Sequence, residues 1–445
     1  MAVAGLSFLG KVGYSSGNAG KSTLWSTLDF FFLFFLTELW GLPPQQAGLV
    51  IFLSLVWDGV SDPILGYLVD RTRSPLGRYG PYLIAGAPLS ALSFVLLFHD
   101  SGQRGDALFW TVLLTSLLFR TCYTVCDVPH NALMARVAAG PRDASVVSGL
   151  RFFFSSVGAL GSGLAIGWAL KDGPDEAGAR QLYMLTMAAG GVYVATIWLA
   201  WASSRKVDTA SRCDVAHMPV AEAFAMTLSN PALRALLATA FIQAATLPAF
   251  AKGVAYFATY VRDDAAWSGN ALMILTFAQA VSQPFWIWIT LRVTKGLALS
   301  MAYGCCAVAL ALFAALGAHP GLAWLWIGML GVGIGGATML LWAMLPDVID
   351  AGEARTGKRL EALPTALFLL VLKSGAGASA ALTGAGLAMI GLRDAEPGDS
   401  VFGDSLTLLM VLIPLCGVVL AQIIRWGMLR TGSAGGLRSA EGAGV

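Results

Sequence analysis

Apolar residues run along this chain in long blocks, separated by short polar links. A helix needs about 20 mostly apolar residues to cross the hydrocarbon core of a bilayer. Twelve blocks meet that length: residues 21–40, 47–69, 82–98, 107–133, 146–170, 182–202, 236–260, 272–291, 297–316, 322–349, 363–390 and 406–426. Gly41, Pro43 and Pro44 end the first, because proline removes a backbone donor and clashes with the preceding turn. The pattern predicts an all-α membrane protein of twelve transmembrane helices in two six-helix halves. The N-terminal half is expected over 1–202, a polar linker over 203–222 and the C-terminal half over 223–429. The Gly/Ala/Ser-rich tail, 430–445, is expected to be disordered.

The links alternate in charge. Those after the second, fourth, sixth, eighth and tenth spans hold fourteen Lys and Arg, beginning with Arg71, Arg73 and Arg78 and ending with Arg355, Lys358 and Arg359. The opposite links hold five: Arg104, Lys171, Arg180, Arg262 and Arg393. Positive residues favour the cytoplasm, which predicts cytoplasmic termini and linker in a protein integral to the cytoplasmic (inner) membrane. Paired six-helix repeats of this kind bind substrate near the midplane, between the halves.

Composition agrees with the pattern. The chain is 57% hydrophobic and 12% charged, against about 25% charged in soluble domains. A net charge of +2 makes no case for nucleic acid. The six cysteines fit no zinc spacing. Phosphate loops, nucleophile elbows and HExxH helices are absent, so no enzyme activity and no cofactor are expected. The first apolar run leads straight into the bundle, so no cleavable leader is expected.

The informative residues are charges inside the spans. Asp58 and Asp62 stand four apart, on one helix face. A carboxylate at the bilayer centre costs roughly 2.5–3.5 kcal/mol on insertion scales, so such a pair is expected to face a cavity or a bound cation. Thr124 and Asp127, three apart, share a face of the fourth span. Oxygen ligands of this set suit a hard cation such as Na+; the same carboxylates suit H+, since burial and mutual repulsion raise their proton affinity. Asp29, Arg120 and Lys252 fit a structural ion pair as well as a functional role. Trp25, Tyr123 and Trp342 can reach a central cavity, where flat rings pack against sugars, and serve equally as core or belt residues. Asp70, Arg71, Arg78, Asp347, Asp350, Arg355 and Arg359 are expected to form a gating network of salt bridges.

Six stretches carry a resemblance: KVGYSSGNAGKS (11–22), DGVSDPILGYLVDRTRSPLGRYGP (58–81), YTVCDVP (123–129), LRFFFSS (150–156), PDVIDAGEARTGKRLE (346–361) and LKSGAGAS (372–379). They resemble the glycoside–pentoside–hexuronide:cation symporters, the melibiose-permease-like branch of the major facilitator superfamily. The resemblance implies a cation site at Asp58, Asp62, Thr124 and Asp127, with Asp127 also touching substrate. It implies substrate contacts from Lys21 and Arg151, and support for the cation site from Lys373. Three positions depart from the galactoside transporter of that family. Ser22 replaces an acid, and Asn131 and Thr338 replace tryptophans; Trp25 and Trp342, about one turn away, can substitute. The implied function is Na+- or H+-coupled symport of a sugar or glycoside by a monomer in the bilayer. The alternatives are symport of a lysolipid or other amphiphile, as in another branch of that family, or a non-transporting receptor.

Overall fold

A computed structural model describes residues 6–36, 40–99, 101–169, 176–210, 218–262, 265–317, 319, 321–391, 396 and 398–430. These residues are helical throughout, apart from short turns. Eleven helices among them are long and apolar enough to cross a membrane. The remaining expected span, 21–40, begins inside the first helix and runs into residues 37–39, outside the described set. So does the expected tail beyond residue 430.

The chain forms two compact units. The first comprises Met1–Thr227 together with Glu353–Leu367. Its helices are α1 (Phe8–Phe34), α2 (Pro44–Asp70), α3 (Gly80–Leu97), α4 (Gly105–Ala132), the short α5 (Met134–Val137), α6 (Pro141–Ala169) and α7 (Glu176–Ala210). A helix α8 (Val220–Ser229) crosses the boundary into the second unit.

α1 starts well before the apolar block that predicts it. Residues 8–20 are rich in Gly and Ser, which are poor helix formers, yet packing overrides propensity. A Cβ at Gly13 would lie 2.1 Å from Ser203 Oγ, one at Gly17 2.6 Å from His130 Nε2, and one at Gly20 2.3 Å from Thr196 Oγ1. The small residues let α1 press against α4 and α7. α7 likewise continues through 203–210, a stretch too polar to be read as span, because Ser204 and Asp208 are buried at its end.

The second unit comprises Leu228–Gly352 and Phe368–Val445. It holds α9 (Pro231–Thr246), α10 (Pro248–Tyr260), α11 (Ala265–Val281), α12 (Gln283–Thr290), α13 (Lys295–Leu316), α14 (Leu322–Thr356), α15 (Ala362–Met389) and α16 (Ser400–Arg430), with the ends of α14 and α15 nearest residue 360 lying in the first unit. The seventh and eighth spans are each two helices, parted just before Pro248 and Pro284, where proline interrupts the hydrogen-bond ladder. Asn230 starts α9 by accepting from the N–H groups of Ala232 and Leu233 at 3.0 and 3.4 Å. α14 ends at Gly357, whose φ of +68° suits glycine. Trp286, Phe250, Phe257 and Phe313 fill this unit's core.

Candidate functional site

α2 turns Asp58 and Asp62 toward α4, and both are fully buried. The Thr124 hydroxyl lies 2.8 Å from Asp58 Oδ1 and 3.0 Å from Asp62 Oδ1. It carries one proton and can donate to one carboxylate at a time. Arg120, one turn earlier on α4, places Nη1 3.3 Å from Asp58 Oδ2. Its guanidinium lies 4.7 Å from the centre of the Trp25 ring, a cation–π contact. The structure thus joins Asp58, Asp62 and Thr124, and adds Arg120.

Asp127 pairs with Lys21, whose Nζ is 2.6 Å from Asp127 Oδ1. Lys21 also donates to Asn131 Oδ1 at 2.8 Å. Arg151 reaches the same oxygen through Nη2, and donates through Nε to Asn18 Oδ1 at 3.1 Å and through Nη1 to Met134 Sδ at 2.9 Å. His130 Nδ1 stands 3.4 Å from Lys21 Nζ, while its Nε2 stands 3.2 Å from the Tyr14 carbonyl. A carbonyl accepts only, so His130 is protonated on Nε2 and receives from Lys21 on Nδ1. Lys21, Asp127, Asn131 and Arg151 therefore form a second polar group, with His130, Asn18 and Tyr14 behind it. Ser22 is half-buried on α1. Among the described residues, no group of three or more His, Cys, Asp or Glu is arranged to hold a metal ion.

In the second unit, Thr338 accepts from Gln243 Nε2 at 3.0 Å, and Tyr303 donates to Gln243 Oε1 at 2.8 Å. Sequence reasoning missed Gln243 and Tyr303; a buried glutamine inside an apolar span was the available clue. Trp342 packs edge-on against Phe368 at 4.9 Å. Lys373 is half-buried on α15, and Lys252 is exposed on α10.

A third cluster lies at the basic end of the first unit. Asp70, the last residue of α2, accepts the N–H groups of Glu361, Ala362 and Leu363 at 3.1, 3.0 and 2.8 Å. It thereby caps α15 from another helix. Asp208 does the same for α3, taking the N–H groups of Arg78, Tyr79 and Gly80, each at 3.0 Å. Glu361 receives Arg136 Nε and Arg359 Nε, each at 2.5 Å, and the Tyr79 hydroxyl at 2.6 Å. Burial pushes the Glu361 carboxyl up, but Arg136, Arg359, Arg78 and Tyr79 outweigh it and hold the pKa at about 2.

Of the residues expected to gate, Asp70, Arg78 and Arg359 join this cluster. Arg71 instead donates to Tyr67 Oη at 2.5 Å. Asp347 pairs with Lys295 at 2.6 Å in the second unit, and Asp350 and Arg355 are exposed. Tyr79, Arg136, Asp208 and Glu361 were not singled out from sequence, because their partners are remote along the chain.

Beyond the second polar group, α1, α6 and α7 enclose a cavity of about 320 Å³, lined by Thr23, Thr27, Gly158, Gly161, Ser162, Thr186 and mainly apolar neighbours. Its hydroxyls are already engaged. Thr23 donates to Ala19 O at 2.9 Å and Thr186 to Tyr183 O at 2.7 Å, while Thr27 bonds Thr23 O and Ser162 Oγ, both at 2.8 Å.

The family profile described as MFS/sugar transport protein matches residues 13–431. YagG of Escherichia coli (strain K12), a candidate glycoside/cation symporter by name, is 27% identical over 423 residues, covering 92% of this chain and 88% of YagG. The sodium-dependent lysophosphatidylcholine symporter 1 of Xenopus tropicalis is 23% identical over 380 residues, covering 78% of this chain and 72% of that protein. The fold is similar to that of a bacterial homologue of the iron transporter ferroportin, with a TM-score of 0.69 at 13% identity, covering 94% of this chain and 98% of the other. The chain belongs to the MFS/sugar transport protein family, and is a membrane transporter of the major facilitator superfamily rather than an enzyme.

Proposed function

We propose that the protein is a cation-coupled symporter working by alternating access. The carrying observation is the fully buried Asp58–Asp62 pair sharing one Thr124 hydroxyl. Two adjacent carboxylates in a low-dielectric interior repel each other, and a bound Na+ or H+ relieves that repulsion. The coupling ion is cargo here; Asp58, Asp62 and Thr124 offer its oxygen ligands. Asp127 links this ion to the substrate group through Lys21, Asn131 and Arg151. Ser22 and Trp25 complete the first unit's substrate contacts in this reading. The charge alternation of the links supports termini on the cytoplasmic side of the inner membrane. The Asp70–Arg78–Glu361 cluster then acts as the cytoplasmic gate of a monomer.

The substrate read first is a sugar or glycoside, supported by the family and by the name YagG bears. A specific observation favours a second reading, an amphiphile such as a lysolipid. The α1–α6–α7 cavity is apolar and its hydroxyls are spent, so it suits a tail and offers a sugar no free donor. Uptake into proteoliposomes, with Na+ and H+ gradients imposed separately, tests the coupling. Asp62→Cys is expected to abolish ion-stimulated uptake in a folded protein, and unchanged stimulation would refute the cation site. Gly161→Phe separates the substrates: a Cβ there meets open space, so the ring enters the cavity. It is expected to block lysolipid binding and spare glycoside binding.

A further inference from the structure

Lys21 places its ammonium among three acceptors, all from one face of α4. Nζ lies 2.6 Å from Asp127 Oδ1, 2.8 Å from Asn131 Oδ1 and 3.4 Å from His130 Nδ1. Residues three and four apart share a helix face, which is how α4 presents all three together. An ammonium carries three donors, and each has an acceptor here. His130 is the acceptor to which the transport reading gives no task.

The His130 ring is fully buried and is fixed by α1. Its Nε2 donates to the Tyr14 carbonyl at 3.2 Å, and the Tyr14 hydroxyl donates back to the His130 carbonyl at 2.7 Å. That carbonyl is among the last four of α4, which have no partner within their own helix. The two rings also stack, with centroids 4.8 Å apart and planes 21° apart. A Cβ at Gly17 would come within 2.6 Å of Nε2, so α1 leaves the ring no room on that side. A carbonyl only accepts, so the proton sits on Nε2 and Nδ1 keeps its lone pair for Lys21. A ring turned over would set carbon atoms against both partners. The imidazole thus accepts from the lysine without adding charge to the site. A lysine has a flexible four-carbon stem and a compact charge; without this acceptor, one buried donor would be left unsatisfied and the ammonium would have one fewer restraint.

We infer that His130 is a positioning residue for transport: it holds the Lys21 ammonium against Asp127 and Asn131, so that substrate meets a lysine already in place. The role deepens the transport reading and rests on it, since Lys21 is a substrate contact in that reading.

Two substitutions separate this role from a purely structural one. His130→Asn puts an amide oxygen as many bonds from the backbone as Nδ1, which keeps an acceptor for Lys21 and drops the bond to Tyr14. His130→Gln puts its amide as far out as Nε2, which keeps the bond to Tyr14 and drops the acceptor. Ion-driven uptake of methyl β-glucoside and of lysophosphatidylcholine into proteoliposomes, with melting temperatures of the same proteins, is the measurement. His130→Gln is expected to raise the KM about fivefold, the size of one hydrogen bond, at a nearly unchanged maximal rate. His130→Asn is expected to melt lower than His130→Gln and yet to keep the KM within about twofold of the unmodified protein. An unchanged KM in His130→Gln, or a KM that follows melting temperature through both variants, overturns the inference. Where His130→Gln does not fold, nitrogen NMR of the histidine-labelled full-length protein decides: an unprotonated His130 Nδ1 whose resonance moves in Lys21→Met is expected, and a protonated Nδ1 or one indifferent to Lys21→Met overturns the inference by itself. Uptake of neither probe by the unmodified protein counts against the transport reading, and the inference falls with it.

Discussion

The Asp70 carboxylate accepts the backbone N–H of Leu363 at 2.8 Å, and with it the first turn of a helix that starts nearly three hundred positions later. A carboxylate at a helix N-terminus contributes about 0.5–2 kcal/mol through capping and the helix dipole. Asp70→Asn keeps an acceptor and loses the charge. It is expected to lower the melting temperature in detergent by a few degrees, and Asp70→Ala by more. Equal melting of all three proteins would remove the capping role.

Glu361 sets a pH window. A carboxyl held below its unfolded pKa stabilises the fold above the unfolded value, and the contribution disappears as pH falls through the folded one. The folded value is about 2, against an unfolded one of about 4.3. Protection of residues 353–367 from hydrogen exchange is therefore expected to be flat from about pH 5 to 8, and to be lost only in strong acid. A loss near pH 6 would show that another group controls the cluster.

Thr124→Ala removes the donor shared by two buried carboxylates. An unsatisfied buried polar group costs about 1–3 kcal/mol. Weaker coupling-ion binding, by about tenfold, is the expected result in a cation titration followed by tryptophan fluorescence. Thr124→Ser, which restores the hydroxyl, is expected to recover most of it.

Arg120 answers Asp58 inside the first unit. Breaking a buried ion pair from one side costs about 3–5 kcal/mol, because the partner charge is left behind. Arg120→Leu is expected to unfold at lower temperature, and added Na+ is expected to restore much of the loss by answering the Asp58 charge. A thermal-shift series with and without Na+ reads this directly.

Close packing of α1 on α6 gives a prediction without charge. A Cβ at Gly158 would sit 2.2 Å from the Ala19 carbonyl oxygen, a backbone atom that cannot swing aside. Gly158→Ala is expected to cost about 1–3 kcal/mol. Gly161→Ala, with open space around the Cβ, is expected to be neutral in the same melting assay.

Some of this was legible in the residues alone. Apolar block length predicts membrane helices, since an unsatisfied backbone is excluded from lipid. Spacing of four predicts that Asp58 and Asp62 share a face, because α-helical geometry is local. The distribution of Lys and Arg marks one end of the molecule as basic before any contact is known. Tertiary structure alone decided who answers whom. Asp127 meets Lys21 rather than Thr124, Arg120 turns to Asp58, and Glu361 takes Arg136 from 225 positions away. The buried stretch of α1 over residues 13–17 was equally invisible, since its glycines pack where α4 and α7 press close. Helical period and hydropathy act over a few residues and can be read along a chain. A buried charge is stabilised by whatever the fold brings within a few ångströms, and sequence distance carries no information about that.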